Sequence, residues 1–301
     1  MGNIERGGEI SGLPRCLEGA RYSTQWYGAP REVVSIFQGQ NDYNDDINCR
    51  SLMMNWLAGG SPYVPYQQGL KVPIELSLAV HSDAGYTKDG SLTGTLGICT
   101  TDYKGDTRLN SGLSRSVSKD FAQGIVDQIK NDLQSKFNIS WSTRGVWDKN
   151  YNESRRPEVP SAILEMLSHQ NFNDMKFGQD PNFKFTLARA AYKEITKYIA
   201  SLHNTTYVIQ PLAPDHFCTR FISKGKLQLS WQPVYDKLES SAQPTSYIVY
   251  TAINNGGFDN GTVVNSTNYT IDLEPGSLYR FRVAAINAGG ESFPTEELAA
   301  E

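Results

Sequence analysis

Nowhere in the chain does an apolar run approach the roughly 18 residues that crossing a bilayer as a helix requires, so no membrane span is expected. The opening segment Met1-Gly2-Asn3-Ile4-Glu5-Arg6-Gly7-Gly8 has no apolar stretch of the kind an export signal carries. Either the protein is cytosolic or an export signal lies outside this sequence. A basic excess is also missing: 28 Lys and Arg stand against 32 Asp and Glu, a net charge of −4. Without clustered cations there is no footprint for a phosphate backbone, which excludes nucleic acid as a partner. Cysteine is scarce, and Cys16, Cys49, Cys99 and Cys218 are too scattered to form a Cys-x-x-Cys pair. That excludes a zinc knuckle or a dithiol redox motif and leaves buried thiols. A nucleotide fingerprint is absent too, since Gly2, Gly7, Gly8 and Gly12 follow no predicted strand.

What is present divides into two textures. A length of 301 residues suits two domains, with the change near residue 205. Before it, helix and strand periods alternate. Phe121, Ile125, Ile129 and Leu133 recur every four residues and predict a helix from Ser118 to Phe137, with Ser118 as its cap. Phe185, Ala188, Tyr192, Ile195, Ile199 and Leu202 predict another, with Pro181 near its start. Shorter helices are expected at Pro14 to Tyr27 and Asp46 to Leu57. Strands are expected at Val33 to Phe37, Ile74 to Val80, Gly94 to Thr101 and Ala162 to Leu164. The alternation reads as an α/β domain over 1–205, a mostly parallel sheet flanked by helices.

From 206 to 301 only short strands and turns remain. Leu229-x-Trp231, Tyr247-x-x-Tyr250, Leu273-x-Pro275-Gly276-x-x-Tyr279-x-Phe281-x-Val283-x-Ala285-x-Asn287 and Gly289-Gly290-Glu291-Ser292 follow one another. This order closely resembles a fibronectin type III domain, an all-β sandwich. The resemblance implies that Trp231 is core and that Tyr279 takes the corner position of such sandwiches.

Chemistry is therefore sought in residues 1–205. The apolar strand Ile74 to Val80 is closed by His81, with Ser82-Asp83-Ala84 after it, and the strand Ser161-Ala162-Ile163-Leu164 ends on Glu165. Ligands of open α/β sheets bind beyond the carboxyl ends of the strands, so His81 and Glu165 are expected to share a crevice. Zinc accepts imidazole nitrogen and carboxylate oxygen, and a nearby carboxylate can take a proton from an attacking water. Asp83, on the same strand face as His81, is placed to orient the site.

His81-Ser82-Asp83-Ala84, followed by Val159-Pro160 through Glu165, then Asn171 and Asp174, resembles the zinc-dependent N-acetylmuramoyl-L-alanine amidases, which cleave the amide between peptidoglycan glycan and stem peptide. The resemblance implies that His81 binds zinc and that Glu165 is the general base. It also implies a further His and Glu ligand, borne on a Gly-His-Gly turn and its surroundings, and this sequence has no such turn. Of the remaining histidines, His203 ends a helix, His216 lies in a linker, and His169 falls nearest Glu165; His169 and Glu18 are the further ligand candidates. Ser11 to Arg21 together with Asn41 to Asp46 resemble the second half of amidase-like proteins of Bacteroidetes often labelled xanthan lyases. On that resemblance the chain is the later part of an exported cell-wall or polysaccharide enzyme, secreted, periplasmic or surface-borne. Its zinc site is then incomplete and its upstream half acts as a partner. Two other classes stay open: a polysaccharide lyase, for which the 16 tyrosines show no Tyr–Arg constellation, and a non-catalytic module binding cell wall or glycan.

Overall fold

The computed structural model describes residues 19–301, so Glu18 and Cys16 lie outside the described residues. The chain forms two compact units, Met1–Tyr198 and Ile199–Glu301.

The first unit is built on a four-stranded sheet. Its strands are β1 (Ser77–Asp83), β2 (Thr95–Cys99), β3 (Thr143–Asp148) and β4 (Ser161–Ser168), in the spatial order β1-β4-β2-β3. β1 runs parallel to β4 and β2 parallel to β3, but β2 runs antiparallel to β4. The sheet is thus mixed. Among the described residues seven helices accompany it: α1 (Ala20–Trp26), α2 (Arg31–Val34), α3 (Asp42–Ala58), α4 (Ser116–Phe137), α5 (Asn152–Arg155), α6 (Phe172–Gly178) and α7 (Pro181–Leu202). No described helix is long and apolar enough to cross a membrane.

The main core explains the four-residue spacing of α4. Phe121, Ile125, Ile129 and Leu133 are buried against Cys99, Ala162 and Leu164 of the sheet and Phe183 and Leu187 of α7. Trp141 packs in the same core, 4.9 Å from the Phe183 ring, and its indole N–H donates to Thr95 Oγ1 at 2.9 Å. Burial of this many large side chains is the dominant favourable term of the unit. Ser118 is not the cap of α4. The helix begins two residues earlier, and Ser118 Oγ instead accepts the Ser161 N–H at 3.0 Å, tying α4 to the start of β4.

One expected strand is absent and one observed strand was not expected. Val33 to Phe37 is not a strand: Pro30 precedes α2, and Val33 is buried with Leu52 of α3 and Val64, so tertiary packing overrides the preference of the β-branched pair. β3 was not foreseen. Its interior holds Gly145 at φ +70, which breaks the alternation by which a strand is recognised.

The second unit is a β sandwich. One sheet holds β10 (Tyr279–Asn287) between β7 (Ser246–Ile253) and β11 (Gly290–Glu291), with β8 (Thr262–Val264) on β7 and β12 (Leu298–Ala300) on β10; the other holds β6 (Lys226–Gln232) between β5 (Asp215–Ser223) and β9 (Asn268–Asp272). Inward residues alternate along the strands, and Leu227, Leu229, Trp231, Val249, Phe281 and Val283 are buried together. Trp231 is core as expected. Tyr279 stacks beside Phe281, and its hydroxyl accepts the Glu274 N–H at 3.2 Å, a hydrogen bond back across the corner that enters β10. His216 lies in β5 rather than in a linker.

Candidate active site

Parallel pairing sets His81 directly beside Glu165. Neither residue terminates its strand: β1 continues to Asp83 and β4 to Ser168. Alternation places His81 and Glu165 on one sheet face, where Ala79, Leu96, Ile98 and Ile163 form a small apolar floor.

Above that floor α3 and α5 deliver the charges. Beside Cys49 and Leu52, α3 buries many polar side chains, among them Asp45, Asp46, Ser51 and Asn55. They are spent on hydrogen bonds. Asn55 Nδ2 donates to the Arg156 carbonyl at 2.8 Å, and Asn152 Nδ2 donates to the Ile47 carbonyl at 2.7 Å. These bonds hold the single turn of α5 over the sheet, where Glu153 approaches His81: Glu153 Oε2 lies 3.2 Å from His81 Nε2 and 3.5 Å from Arg50 Nη1. Arg50 is anchored in turn on Asp46 at 3.0 Å. On the other side, Arg144 Nη1 donates to Asp83 Oδ2 at 2.6 Å, with its guanidinium 5.6 Å from the Trp147 ring centre.

The electrostatics follow from this geometry. The hydrogen bond to Glu153 raises the His81 pKa, against the opposing effect of burial. Burial pushes Glu153 up, but His81 and Arg50 together outweigh it and hold the carboxyl below the usual range. Glu165 goes the other way. Burial raises its pKa despite the nearby imidazole, and its Oε2 is shielded from solvent with no hydrogen-bond partner. Nε and Nη2 of Arg144 are likewise shielded and unpartnered.

The other candidate residues sort themselves by position. Asp83 lies in the cleft, turned to Arg144 rather than to His81. His169 does not join them: its Nδ1 is 3.1 Å from Ser82 Oγ, and with Val80 and Ser82 it lines an apolar groove of 620 Å³ on the opposite sheet face. Asn171 and Asp174 are structural. Asn171 Oδ1 caps α6, while its amide donates to the Ser91 carbonyl and Thr93 Oγ1. Asp174, fully buried, accepts the backbone N–H groups of Thr93, Gly94 and Ser168, each at 2.9 Å. Together they fasten the segment after β1 to the end of β4. Gly94 is required there: at φ +72 a Cβ would lie 1.9 Å from the Ser142 carbonyl oxygen.

Sequence reasoning missed Glu153 and Arg144. Neither sits in a motif, and each reaches the cleft only through tertiary pairing. A catalytic zinc takes three protein ligands. Among the described residues no three His, Cys, Asp or Glu side chains are grouped to hold a metal. His81 and Glu153 are the right donor types, but alone they do not make a zinc site.

Curated relatives match part of the chain. Mouse Roundabout homolog 1 is 28% identical over 172 residues, 52% of this chain and 10% of its own length. Human Roundabout homolog 1 is 36% identical over 90 residues, 29% of this chain and 5% of its own length. This chain therefore spans a tenth or less of the curated relatives it matches. Among solved structures, the twitchin kinase region from C. elegans is 27% identical, with a TM-score of 0.27, over 30% of this chain and 16% of that one. A human fourth FNIII domain in solution is 28% identical, with a TM-score of 0.29, over 32% of this chain and 82% of that one. The fibronectin type III family model matches residues 203–301. With its alternating core, Trp231 and the Tyr279 corner bond, that segment is a fibronectin type III domain.

Proposed function

We propose that the cleft of the first unit belongs to a zinc-dependent hydrolase of the N-acetylmuramoyl-L-alanine amidase type, acting on peptidoglycan or a related glycan-peptide, with the fibronectin type III domain as its spacer. The observation that carries the reading is the register that sets His81 against Glu165, the two residues to which the sequence resemblance gives the chemistry. Glu165 is the general base. A carboxyl whose burial holds its pKa above the ordinary range is suited to take a proton from an attacking water and pass it to the leaving amine. His81 is the zinc ligand among the described residues, and the remaining ligands come from outside them. Export to the cell surface or periplasm follows from the substrate.

A second reading is favoured by the shortage of donors in the described residues: a glycan-binding module that grips cell wall through the same cleft without chemistry. Incubation with purified peptidoglycan and zinc, followed by mass spectrometry, separates them. Stem peptides released with a free L-alanine amine, and lost in His81→Ala and Glu165→Gln, support the hydrolase. An unsaturated sugar product absorbing in the ultraviolet identifies a lyase instead, and retention on the glycan with no product identifies the binding module.

A further inference from the structure

The sheet face opposite His81 carries a groove of 620 Å³ between the strands and α7. Its walls are apolar: Val80 comes from β1, Leu164, Met166 and Leu167 from β4, and Leu187 and Ile195 from α7. Val80 is left 56% exposed on that wall. Ala188 and Ala191 keep the α7 side low, and Met175 adds an adaptable side chain. A volume of this size, apolar except for a few polar groups that orient the guest, is that of a small-ligand site. The polar groups gather where β4 gives way to helix. His169 follows β4 directly, its Nδ1 is 3.1 Å from Ser82 Oγ, and Lys184 stands in the opening turn of α7. No Asp or Glu among the described residues lines the groove. The Lys184 ammonium has no ion pair among the described residues, and Asp180, one turn earlier, accepts the Asn182 N–H at 2.8 Å instead.

We propose that this groove binds a single-chain aliphatic carboxylate, with the carboxylate at Lys184 and the alkyl chain laid along α7 toward Ile195. Charge argues for the head group. An unpaired cation beside an apolar groove without acids is complemented by one anion, and the ammonium can donate to either carboxylate oxygen. Length argues for the tail. Lys184 and Ile195 are about three turns of α7 apart, or about 16 Å. An extended alkyl chain advances about 1.3 Å per carbon, given a C–C bond of about 1.5 Å, so about 12 carbons cover that distance. A second copy of this chain fits less well. Two-fold packing would bring the same face against itself, burying Lys184 of each copy against a surface that offers no acid. The site lies across the sheet from His81 and Glu165, so it is independent of the hydrolase reading.

Isothermal titration of dodecanoate into the whole chain, below the micelle concentration, tests this, and one saturable site is expected. Each methylene removed should cost about fourfold in affinity, so decanoate should bind about 15-fold more weakly. Ala188 is exposed on the groove side of α7, and Ala188→Phe should close the groove and abolish the site. Lys184→Met, at an exposed position, keeps the stem and removes the charge. It should weaken dodecanoate about tenfold or more while leaving dodecanol unchanged. Circular dichroism identical to wild type shows that a variant folds, and either variant alone suffices for the comparison. No saturable site in the wild type, or dodecanoate binding that Ala188→Phe leaves intact, overturns the inference. Equal weakening of dodecanoate and dodecanol by Lys184→Met overturns it too, since the head group would then not be read. A wild-type dimer in sedimentation that Ala188→Phe dissociates would give the groove to a second copy and overturn it likewise.

Discussion

Replacing Asp174 by Ala tests the scaffold on which the cleft rests. Its carboxylate is fully buried and accepts three backbone N–H groups at 2.9 Å, from Thr93, Gly94 and Ser168. Removing it leaves three buried donors. Each orphaned donor costs about 1–3 kcal/mol, and water entering the vacated space recovers part of that, so a loss of about 3–5 kcal/mol is expected. Asp174→Asn keeps one oxygen but turns an amide N–H toward a donor, and about half that loss is expected. Because the chain has two compact units, each transition here and below is that of the first unit read by itself. Urea-dependent hydrogen exchange, read in peptides covering Thr93–Thr95 and Ser168, isolates the affected part. The order should be wild type, Asn, Ala, with the fibronectin type III peptides unmoved. A wild type and Asp174→Ala variant within about 1 kcal/mol of each other would refute the reasoning.

Glu165→Gln should trade function for stability. The folded carboxyl titrates above its usual range, so the unfolded chain loses its proton first as pH rises; folding stability falls through that window and stays reduced above it. The variant should therefore melt about 2–4 °C higher at neutral pH, for a gain of about 1 kcal/mol, with the difference closing below about pH 4. Melting curves across that range would detect a Gln variant that is less stable at neutral pH, which contradicts the account. In the helical layer, Lys193 Nζ lies 2.6 Å from Asp132 Oδ2 with both side chains buried. Lys193→Ala should cost about 3–5 kcal/mol by stranding a charge, whereas Lys193→Met with Asp132→Leu should recover most of it; denaturant midpoints decide. Gly94→Ala should cost well over about 1 kcal/mol, because both its positive φ and the Ser142 carbonyl oppose a side chain; a thermal midpoint equal to wild type would show that the turn relaxes freely.

The parts of the fold legible in the sequence were those with long, uninterrupted periods. α4 and α7 announce themselves by apolar residues every three or four positions, and the sandwich by alternation between turns rich in Gly, Asn and Pro. Asn254 and Gly276 do adopt positive φ in those turns. Short or interrupted elements were not legible. α2 carries Val33 and Val34, whose preference for strands gives way to burial against α3, and β3 is bent by Gly145. The expectation of a mostly parallel sheet did not anticipate the antiparallel pairing of β2 with β4, which local pattern does not encode.

The candidate site divides in the same way. His81 and Glu165 stood out because each lies on an apolar strand, where a titratable side chain is unusual. Glu153 and Arg144 lie in polar surroundings, Tyr151-Asn152-Glu153-Ser154-Arg155-Arg156 and Ser142-Thr143-Arg144, where a charge is ordinary. Only the pairing of strands and the seating of α5 on α3 bring them to the imidazole and to Asp83. His169 misled for the converse reason: it is close to Glu165 along the chain but lies across the sheet from His81.

Zinc bound at equilibrium by the wild type and by His81→Ala, measured by dialysis at matched free zinc, tests the central claim most directly. The account predicts that the wild type holds more zinc at saturation, the difference approaching one ion per chain. Equal binding by the two proteins would contradict it.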